Sequence, residues 1–171
     1  MISIAICDNE ITSVEDIENK VKIISNKLLF LANIDRFFTG IELIEEIKYG
    51  MKYDIIYLDI ELDNENGIDV ARKIREIDMN VLIIYITNYE NFAKEAFEVN
   101  AFRFLNKPID NILFERYFIN AKDMLLNNNQ YFYYKYNKIN YKIKLNEIIY
   151  FESDKRKTYI VTSKDYKVCY I

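Results

Sequence analysis

The stretch YDIIYLDI (residues 53–60) decides the fold that the sequence predicts. Apolar residues occupy successive positions from Ile55 to Leu58, so both faces of the segment are suited to burial, as in a central strand of a parallel sheet. A carboxylate, Asp59, follows directly on this run. Because an acid at the end of a buried strand needs a partner or a role, Asp59 is a candidate functional residue.

Three other apolar runs end in the same way. Ile2–Cys7 is followed by Asp8, Val81–Ile86 by Thr87, and Ala101–Asn106 by Lys107. The carboxyl ends of parallel strands meet at one edge of an open sheet, where such folds place their chemistry. Two carboxylates, a hydroxyl and an ammonium group at that edge would suit a divalent cation and a phosphoryl group.

Segments with helical spacing alternate with the strand-like runs over residues 1–126. The predicted helices are Ile11–Phe30, Ile41–Ile47 with Thr39 as its N-cap, Ile68–Ile77, Phe92–Val99 and Asp110–Leu126, and a further strand lies near Ile34–Phe38. Five strands alternating with five helices predict an α/β fold, a doubly wound five-stranded parallel sheet with helices on both faces. The third helix should bury Val70, Ala71, Ile74 and Ile77.

Residues 131–171 have a different composition. After the polar break 127–130, short aromatic and β-branched runs predict an all-β element without helices. This part carries nine Lys or Arg and four Asp or Glu, a net charge of +5. Since the net charge of the whole chain is −4, residues 1–130 carry a net charge of −9. We therefore expect domains at 1–126 and 131–171, with a linker at 127–130. Because the chain stops within a strand-like run, we expect the second domain to be truncated.

The composition excludes several kinds of chemistry. The chain contains no histidine, which removes Ser-His and Cys-His nucleophile pairs and most zinc sites. Cys7 and Cys169 have no spacing that indicates a metal site or a disulfide, and are interpreted as small apolar residues. No apolar run is long enough to span a bilayer and no signal-peptide pattern follows Met1, so we expect a cytoplasmic protein.

Each of the four polar residues at the strand ends also has a purely structural interpretation. Asp8 and Asp59 could cap a turn or a helix, Thr87 could cap a following helix, and Lys107 could belong to an ordinary loop. Their occurrence together, each at the end of a strand, favours the functional interpretation.

Several motifs resemble the receiver domain of two-component response regulators. They are ICDNE (6–10), IIYLDIELDNENGIDVARKIR (55–75), IIYIT (83–87) and AFRFLNKP (101–108). Over residues 1–126 the resemblance implies a flavodoxin-like sheet with strand order 2-1-3-4-5. The segment LNEIIYFESDKRKTYIVT (145–162) resembles the opening strands of a LytTR-type DNA-binding domain.

The resemblance implies that Asp59 is the phosphoacceptor of a receiver that takes up a phosphoryl group and loses it slowly, and is not a turnover enzyme. Mg²⁺ would be the cofactor, held by Asp8, Asn9, Asp59 and the backbone carbonyl of Glu61. Thr87 and Lys107 would contact the transferred phosphoryl group.

Further features of the resemblance concern single positions. Gly67 matches the loop glycine of the family, the Lys107–Pro108 bond would be cis, and Phe104 would be the switch residue, although it could equally be an ordinary core aromatic. Asn9 stands where the family more often has an aspartate. Since an amide oxygen lacks the charge that strengthens a hard-cation site, we expect weaker Mg²⁺ binding.

Taken together, the resemblance implies a regulator that is phosphorylated by a sensor histidine kinase, forms a homodimer through the face built from residues 90–126, and controls transcription by binding DNA. Lys155, Arg156 and Lys157 are the candidates for contacts to DNA phosphates. Two alternatives stay open: a receiver-type interaction module that binds no DNA, and a haloacid-dehalogenase-like phosphatase, which also arranges Asp, Thr or Ser, and Lys around Mg²⁺.

Overall fold

The chain divides into two compact units, Met1–Ala121 and Lys122–Ile171. The structure is a computed structural model that describes residues 1–88, 99–128, 130–154, 157–163 and 165–169. In chain order, the elements up to residue 128 are β1 (Ile2–Cys7), α1 (Ile11–Lys27), β2 (Ala32–Phe37), α2 (Gly40–Lys48), β3 (Ile55–Leu58), β4 (Glu61–Leu62), β5 (Glu65–Asn66), α3 (Gly67–Ile77), β6 (Leu82–Thr87), β7 (Arg103–Asn106) and α4 (Asn111–Asn128).

Five strands of the first unit form a sheet in the order β2-β1-β3-β6-β7. Every neighbouring pair in this sheet is parallel. The predicted doubly wound α/β fold is therefore confirmed. The strand order 2-1-3-4-5 that the resemblance implies is confirmed as well, because β6 and β7 are the fourth and fifth strands of this sheet along the chain. Between β3 and α3, the short strands β4 and β5 form an antiparallel hairpin, which the sequence analysis did not predict.

The strand register explains why the polar residues share one edge. Cys7 pairs with Leu58, Leu58 pairs with Tyr85, and Thr87 pairs with Asn106. The residues that follow these strands are held by the same ladder: the Asp59 N–H donates to the Cys7 carbonyl at 2.9 Å, and the Lys107 N–H donates to the Thr87 carbonyl at 2.9 Å.

The helices cover the sheet with the apolar faces that their spacing predicts. The buried residues include Val14, Ile17, Val21 and Ile24 of α1, Val70, Ala71 and Ile74 of α3, and Phe114, Phe118 and Ala121 of α4. Ile77 does not follow the prediction: it is 45% exposed, because it is the last residue of α3. Among the described residues, no helix is long and apolar enough to cross a membrane.

The ends of several elements differ from the sequence prediction by a few residues. Thr39 is the N-cap of α2, as predicted, and its hydroxyl accepts a hydrogen bond from the Glu42 N–H at 3.3 Å. α1 ends at Lys27 instead of Phe30, and Leu29 has a positive φ of 53°, which is incompatible with a continuing right-handed helix. The helix predicted over Phe92–Val99 lies outside the described residues, apart from Val99.

The second unit consists mainly of strands. After the end of α4 come β8 (Tyr131–Tyr136), β9 (Ile139–Lys144), a short 3₁₀ helix (Leu145–Glu147), β10 (Ile148–Asp154), β11 (Lys157–Thr162) and β12 (Tyr166–Cys169). β8 and β9 form a hairpin, and β10, β11 and β12 form a separate antiparallel sheet. Ile143 of β9, Ile160 of β11 and Cys169 of β12 form a buried apolar cluster of the second unit.

Two expectations for this region need correction or stay open. The all-β element contains a 3₁₀ helix, which separates the hairpin from the three-stranded sheet, so the prediction of no helix was wrong. The predicted linker, 127–130, begins with two residues that belong to α4. The domain boundaries stay a prediction.

Cys7 and Cys169 are both buried and free.

Candidate functional site

The polar residues that end the strands converge at the carboxyl edge of the central sheet. Asp8 and Thr87 are 0% and 1% exposed, and Asp59 is 5% exposed. Lys107 joins the two acids: its Nζ lies 2.7 Å from Asp59 Oδ2 and 2.8 Å from Asp8 Oδ2, and its side chain is 11% exposed. The structure thus brings together the four residues that the sequence analysis selected.

Each carboxylate has one oxygen in a local turn and the other on Lys107. Asp8 Oδ1 accepts from the Glu10 N–H at 2.9 Å, and Asp59 Oδ1 accepts from the Glu61 N–H at 3.2 Å. The turn-capping interpretation of these acids therefore accounts for one oxygen of each carboxylate, Oδ1. The second oxygen of each faces the lysine, so the two interpretations are compatible.

Burial and charge shift the pKa values at this edge. Burial lowers the pKa of Lys107, but the hydrogen bond to Asp59, the ion pair with Asp8 and the negative charges of both acids outweigh this effect, and the net pKa is raised. For Asp8, burial raises the pKa, and the opposing interactions with Lys107 and the hydrogen bond from the Glu10 N–H do not fully offset it. The edge therefore holds an ammonium group whose charge two buried acids stabilise.

Two buried oxygen atoms at the edge lack a hydrogen bond. The Thr87 hydroxyl has no hydrogen-bond partner among the described residues, and Asp8 Oδ2 has the ion pair with Lys107 but no hydrogen bond of good geometry. Buried polar atoms without hydrogen bonds are uncommon in proteins, and a bound ion or water is one common explanation. The edge can thus accept further ligands.

The donor set fits Mg²⁺ better than a metal that needs a full cage of side chains. Among the described residues, no group of three His, Cys, Asp or Glu side chains is arranged to hold a metal. Mg²⁺ is usually bound through one or two carboxylates and keeps several waters. Asp8 and Asp59 supply two carboxylates, beside a cleft of about 680 Å³ that Asn9 and residues 59–66 border.

Comparison with known proteins assigns the family. The model of the response regulator receiver domain matches residues 4–116. The chain belongs to this family. The membership agrees with the position of Asp59 after the third strand of the sheet, and it leaves the phosphatase alternative without support.

Relatives with known names are similar to part of the chain. Sensory transduction protein LytR of Staphylococcus epidermidis is 37% identical over 50% of this chain and 36% of its own length. Sensory transduction protein LytT of Bacillus subtilis is 39% identical over 34% of this chain and 24% of its own length. Transcriptional regulatory protein LytR of Staphylococcus aureus is 36% identical over 48% of this chain and 36% of its own length. The matches thus span about a third of these relatives or less.

Solved receiver structures share the fold. The response regulatory domain of mrkE from Klebsiella pneumoniae covers 71% of this chain and 96% of its own, with 21% identity and a TM-score of 0.64. The receiver domain of AraT, a response regulator from Geobacillus stearothermophilus, covers 75% and 98%, with 22% identity and a TM-score of 0.65. At these identities the comparison supports the fold alone.

Gly67 allows the loop of the receiver domain to close on the candidate phosphoacceptor. A Cβ atom at this position would lie 2.0 Å from the Asp59 carbonyl oxygen, and the Gly67 N–H donates to the Ile60 carbonyl at 2.7 Å. Only glycine fits without moving the backbone of Asp59. The Lys107–Pro108 bond is cis, as the resemblance implies.

Phe104 is partly buried in β7 and packs against the core. Its ring centroid lies 6.3 Å from that of Tyr85. This is the position of an ordinary core aromatic, and its role as a switch stays a prediction. Of the residues proposed to contact DNA, Lys157 is exposed at the start of β11, whereas Lys155 and Arg156 lie outside the described residues.

Sequence reasoning missed two acids of the 61–66 hairpin. Asp63 accepts a hydrogen bond from Asn9 Nδ2 at 2.7 Å. Glu65 accepts from the Gly40 and Ile41 N–H groups, at 2.6 and 3.3 Å, and so caps α2. The only signal in the sequence was the high density of acids and amides in this loop. Their partners lie 54 and about 25 positions away, and no spacing rule connects them.

Proposed function

We propose that this chain is a phosphorylation-switched response regulator of a two-component system that controls transcription, with Asp59 as the phosphoacceptor. The observation that carries the proposal is the contact of the Lys107 ammonium group with both Asp59 and Asp8 at the carboxyl edge. A cation between two buried acids, with a Thr87 hydroxyl that has no hydrogen-bond partner in the part of the chain that the structure describes, is an arrangement suited to receiving a phosphoryl group.

Each residue of the site would have a separate role in the phosphoryl transfer. An oxygen of Asp59 would form the new bond to phosphorus while the P–N bond of a phosphohistidine in the sensor kinase breaks. Mg²⁺ held by Asp8, Asn9, Asp59 and the Glu61 carbonyl would neutralise charge on the phosphoryl oxygens. Lys107 would exchange its contact with Asp59 for one with a phosphoryl oxygen, and the Thr87 hydroxyl would donate to another. The chain then serves as an acceptor and not as a turnover enzyme.

The output of the switch is proposed from the relatives and the sequence. One relative is named a transcriptional regulatory protein, and the basic residues after 130 favour binding of DNA phosphates. Phosphorylation would favour a homodimer through the face built from residues 90–126, part of which lies outside the described residues. The cytoplasmic location expected from the sequence stays a prediction.

Incubation with acetyl phosphate and Mg²⁺, followed by intact-mass measurement, tests the transfer. We expect wild type to gain one phosphoryl group, Asp59→Asn to gain none, and the exposed-site control Asp69→Asn to behave as wild type. Omission of Mg²⁺ should abolish the gain. Equal modification of wild type and Asp59→Asn would overturn the assignment of Asp59.

A further inference from the structure

A hydrogen bond joins the loop after β1 to the turn of the β4–β5 hairpin. Asn9 Nδ2 donates to Asp63 Oδ1 over 2.7 Å, between residues 54 positions apart. Asn9 and Asp63 both border the cleft next to Asp59. The bond therefore lies beside the proposed Mg²⁺ site and connects two loops that border it.

The chemistry of the pair fixes which way the Asn9 amide faces. An ionised carboxylate can only accept hydrogen bonds, so the NH₂ arm of the amide must be the one that faces Asp63. The carbonyl oxygen, on the other arm of the same planar group, is then left available as a ligand for a cation. A hydrogen bond to a second group that orients a metal ligand is a common way of strengthening a metal site.

We infer that Asp63 is a positioning residue for the Mg²⁺ site. It orients the Asn9 amide and supplies the negative charge that Asn9 does not carry. This inference rests on the proposed function, because it takes Mg²⁺ as the occupant. It also changes the expectation drawn from the sequence. The negative charge that position 9 lacks is present on Asp63, its hydrogen-bond partner, and is not lost from the site.

The pair makes an unusual prediction for the substitution Asn9→Asp. A carboxylate at position 9 would face the Asp63 carboxylate at hydrogen-bond distance with no proton to share, and like charges at that distance repel. Asn9→Asp alone should therefore not tighten Mg²⁺ binding by more than about twofold. Exchange of the two side chains, Asn9→Asp with Asp63→Asn, restores one amide and one carboxylate and should bind Mg²⁺ at least as tightly as wild type.

Calorimetric titration with Mg²⁺ alone tests the pair as a double-mutant cycle. We expect Asp63→Asn, which loses the charge, to weaken binding and Asp63→Ala, which also loses the acceptor, to weaken it about tenfold. Glu76→Gln, which removes one charge from an exposed position of α3, controls for net charge and should change affinity little. Additive effects of the two substitutions, or an unchanged affinity of Asp63→Ala, would overturn the inference.

A second measurement needs no metal. In NMR spectra recorded without Mg²⁺, the side-chain NH₂ signals of Asn9 should move, and exchange faster, in Asp63→Ala but not in Glu76→Gln. Unchanged Asn9 signals in Asp63→Ala would overturn the inference. If wild type binds no Mg²⁺ in the titration while the Asn9 signals respond as expected, the metal site of the proposed function fails and the orienting role of Asp63 does not.

Discussion

At the scale of single residues, Lys107 compensates the negative charges of the two buried acids at the sheet edge. Its ammonium group is the only cation within 4 Å of Asp8 or Asp59 among the ion pairs of the described residues. Both acids contact this ammonium group and both are buried. Without the lysine, their two negative charges would repel each other with little screening by solvent. Removing one partner of a buried ion pair is strongly destabilising, because it leaves an uncompensated charge.

Lys107→Ala should therefore lower the free energy of unfolding by about 3 kcal/mol. Urea unfolding followed by circular dichroism measures the change, and Lys73→Ala, at an exposed position of α3, is the control that should stay near wild type. Mg²⁺ should recover part of the loss by replacing the missing positive charge. A Lys107→Ala protein as stable as wild type would show that the two acids do not depend on the lysine.

A second prediction at the scale of single residues concerns the effect of replacing Gly67. An added methyl group would lie 2.0 Å from the Asp59 carbonyl oxygen, whereas at Gly40 it would lie 2.3 Å from a side-chain methyl of Val70. Overpacking costs about 1–3 kcal/mol, and backbone yields less readily than a side chain. Gly67→Ala should thus lose stability and also slow phosphorylation at Asp59, while Gly40→Ala should lose stability with a near-normal rate. Equal rates in both variants would contradict the link between Gly67 and Asp59.

At the scale of elements, the β4–β5 hairpin connects β3 to two other parts of the receiver domain. Asp63 reaches Asn9, and Glu65 reaches the first N–H groups of α2. These N–H groups have no partner within the helix, and a carboxylate there also interacts favourably with the helix dipole. The loop that follows Asp59 is thereby attached to the start of α2.

Glu65→Ala should lower the free energy of unfolding by about 1 kcal/mol, an effect similar to that of losing an N-cap side chain, because the Gly40 and Ile41 N–H groups lose their acceptor. Glu65→Gln keeps an acceptor without the charge and should lose less. Thermal or urea unfolding distinguishes these variants from Glu45→Gln, at an exposed position in the middle of α2, which serves as the control. If Glu65→Ala and Glu45→Gln lose equally little, Glu65 does not cap α2.

These elements also show what the sequence could and could not predict. Apolar runs identify buried strands, and the residue after each run lies at the carboxyl edge whatever the exact strand ends, so Asp8, Asp59, Thr87 and Lys107 could be selected in advance. The contacts of Asp63 and Glu65 depend on how the polar loop 61–66 folds. Nothing in its composition distinguishes a hairpin from an irregular loop, since no apolar period constrains it.

At the scale of the whole chain, the parts of the sequence before and after residue 130 differ in charge. The first 130 residues are acidic and the remainder is basic. Positive charge on one part of a protein favours DNA binding through phosphates, which carries no sequence information by itself. The basic residues that were singled out, Lys155, Arg156 and Lys157, suit phosphate contacts and not base discrimination.

We therefore expect the 171-residue chain to bind DNA weakly, without sequence preference, and with affinity that falls steeply with salt. Neutralising Lys155, Arg156 and Lys157 together should reduce the slope of log affinity against log salt by about 3, roughly one unit for each phosphate contact. Shift assays over a salt series measure this, with phosphorylation of Asp59 as the control for folding. Tight, sequence-selective binding by this chain would place the reading surface elsewhere.

The central claim is that Asp59, held by Lys107 at the sheet edge, accepts the phosphoryl group. Borohydride reduces an aspartyl phosphate and leaves an unmodified aspartate intact, so reduction after treatment with acetyl phosphate and Mg²⁺, followed by peptide mass mapping, locates the acceptor. We predict a single reduced residue, at position 59, that is absent without Mg²⁺. Reduction at another acid, or none at position 59 in a protein that has gained a phosphoryl group, would contradict the account.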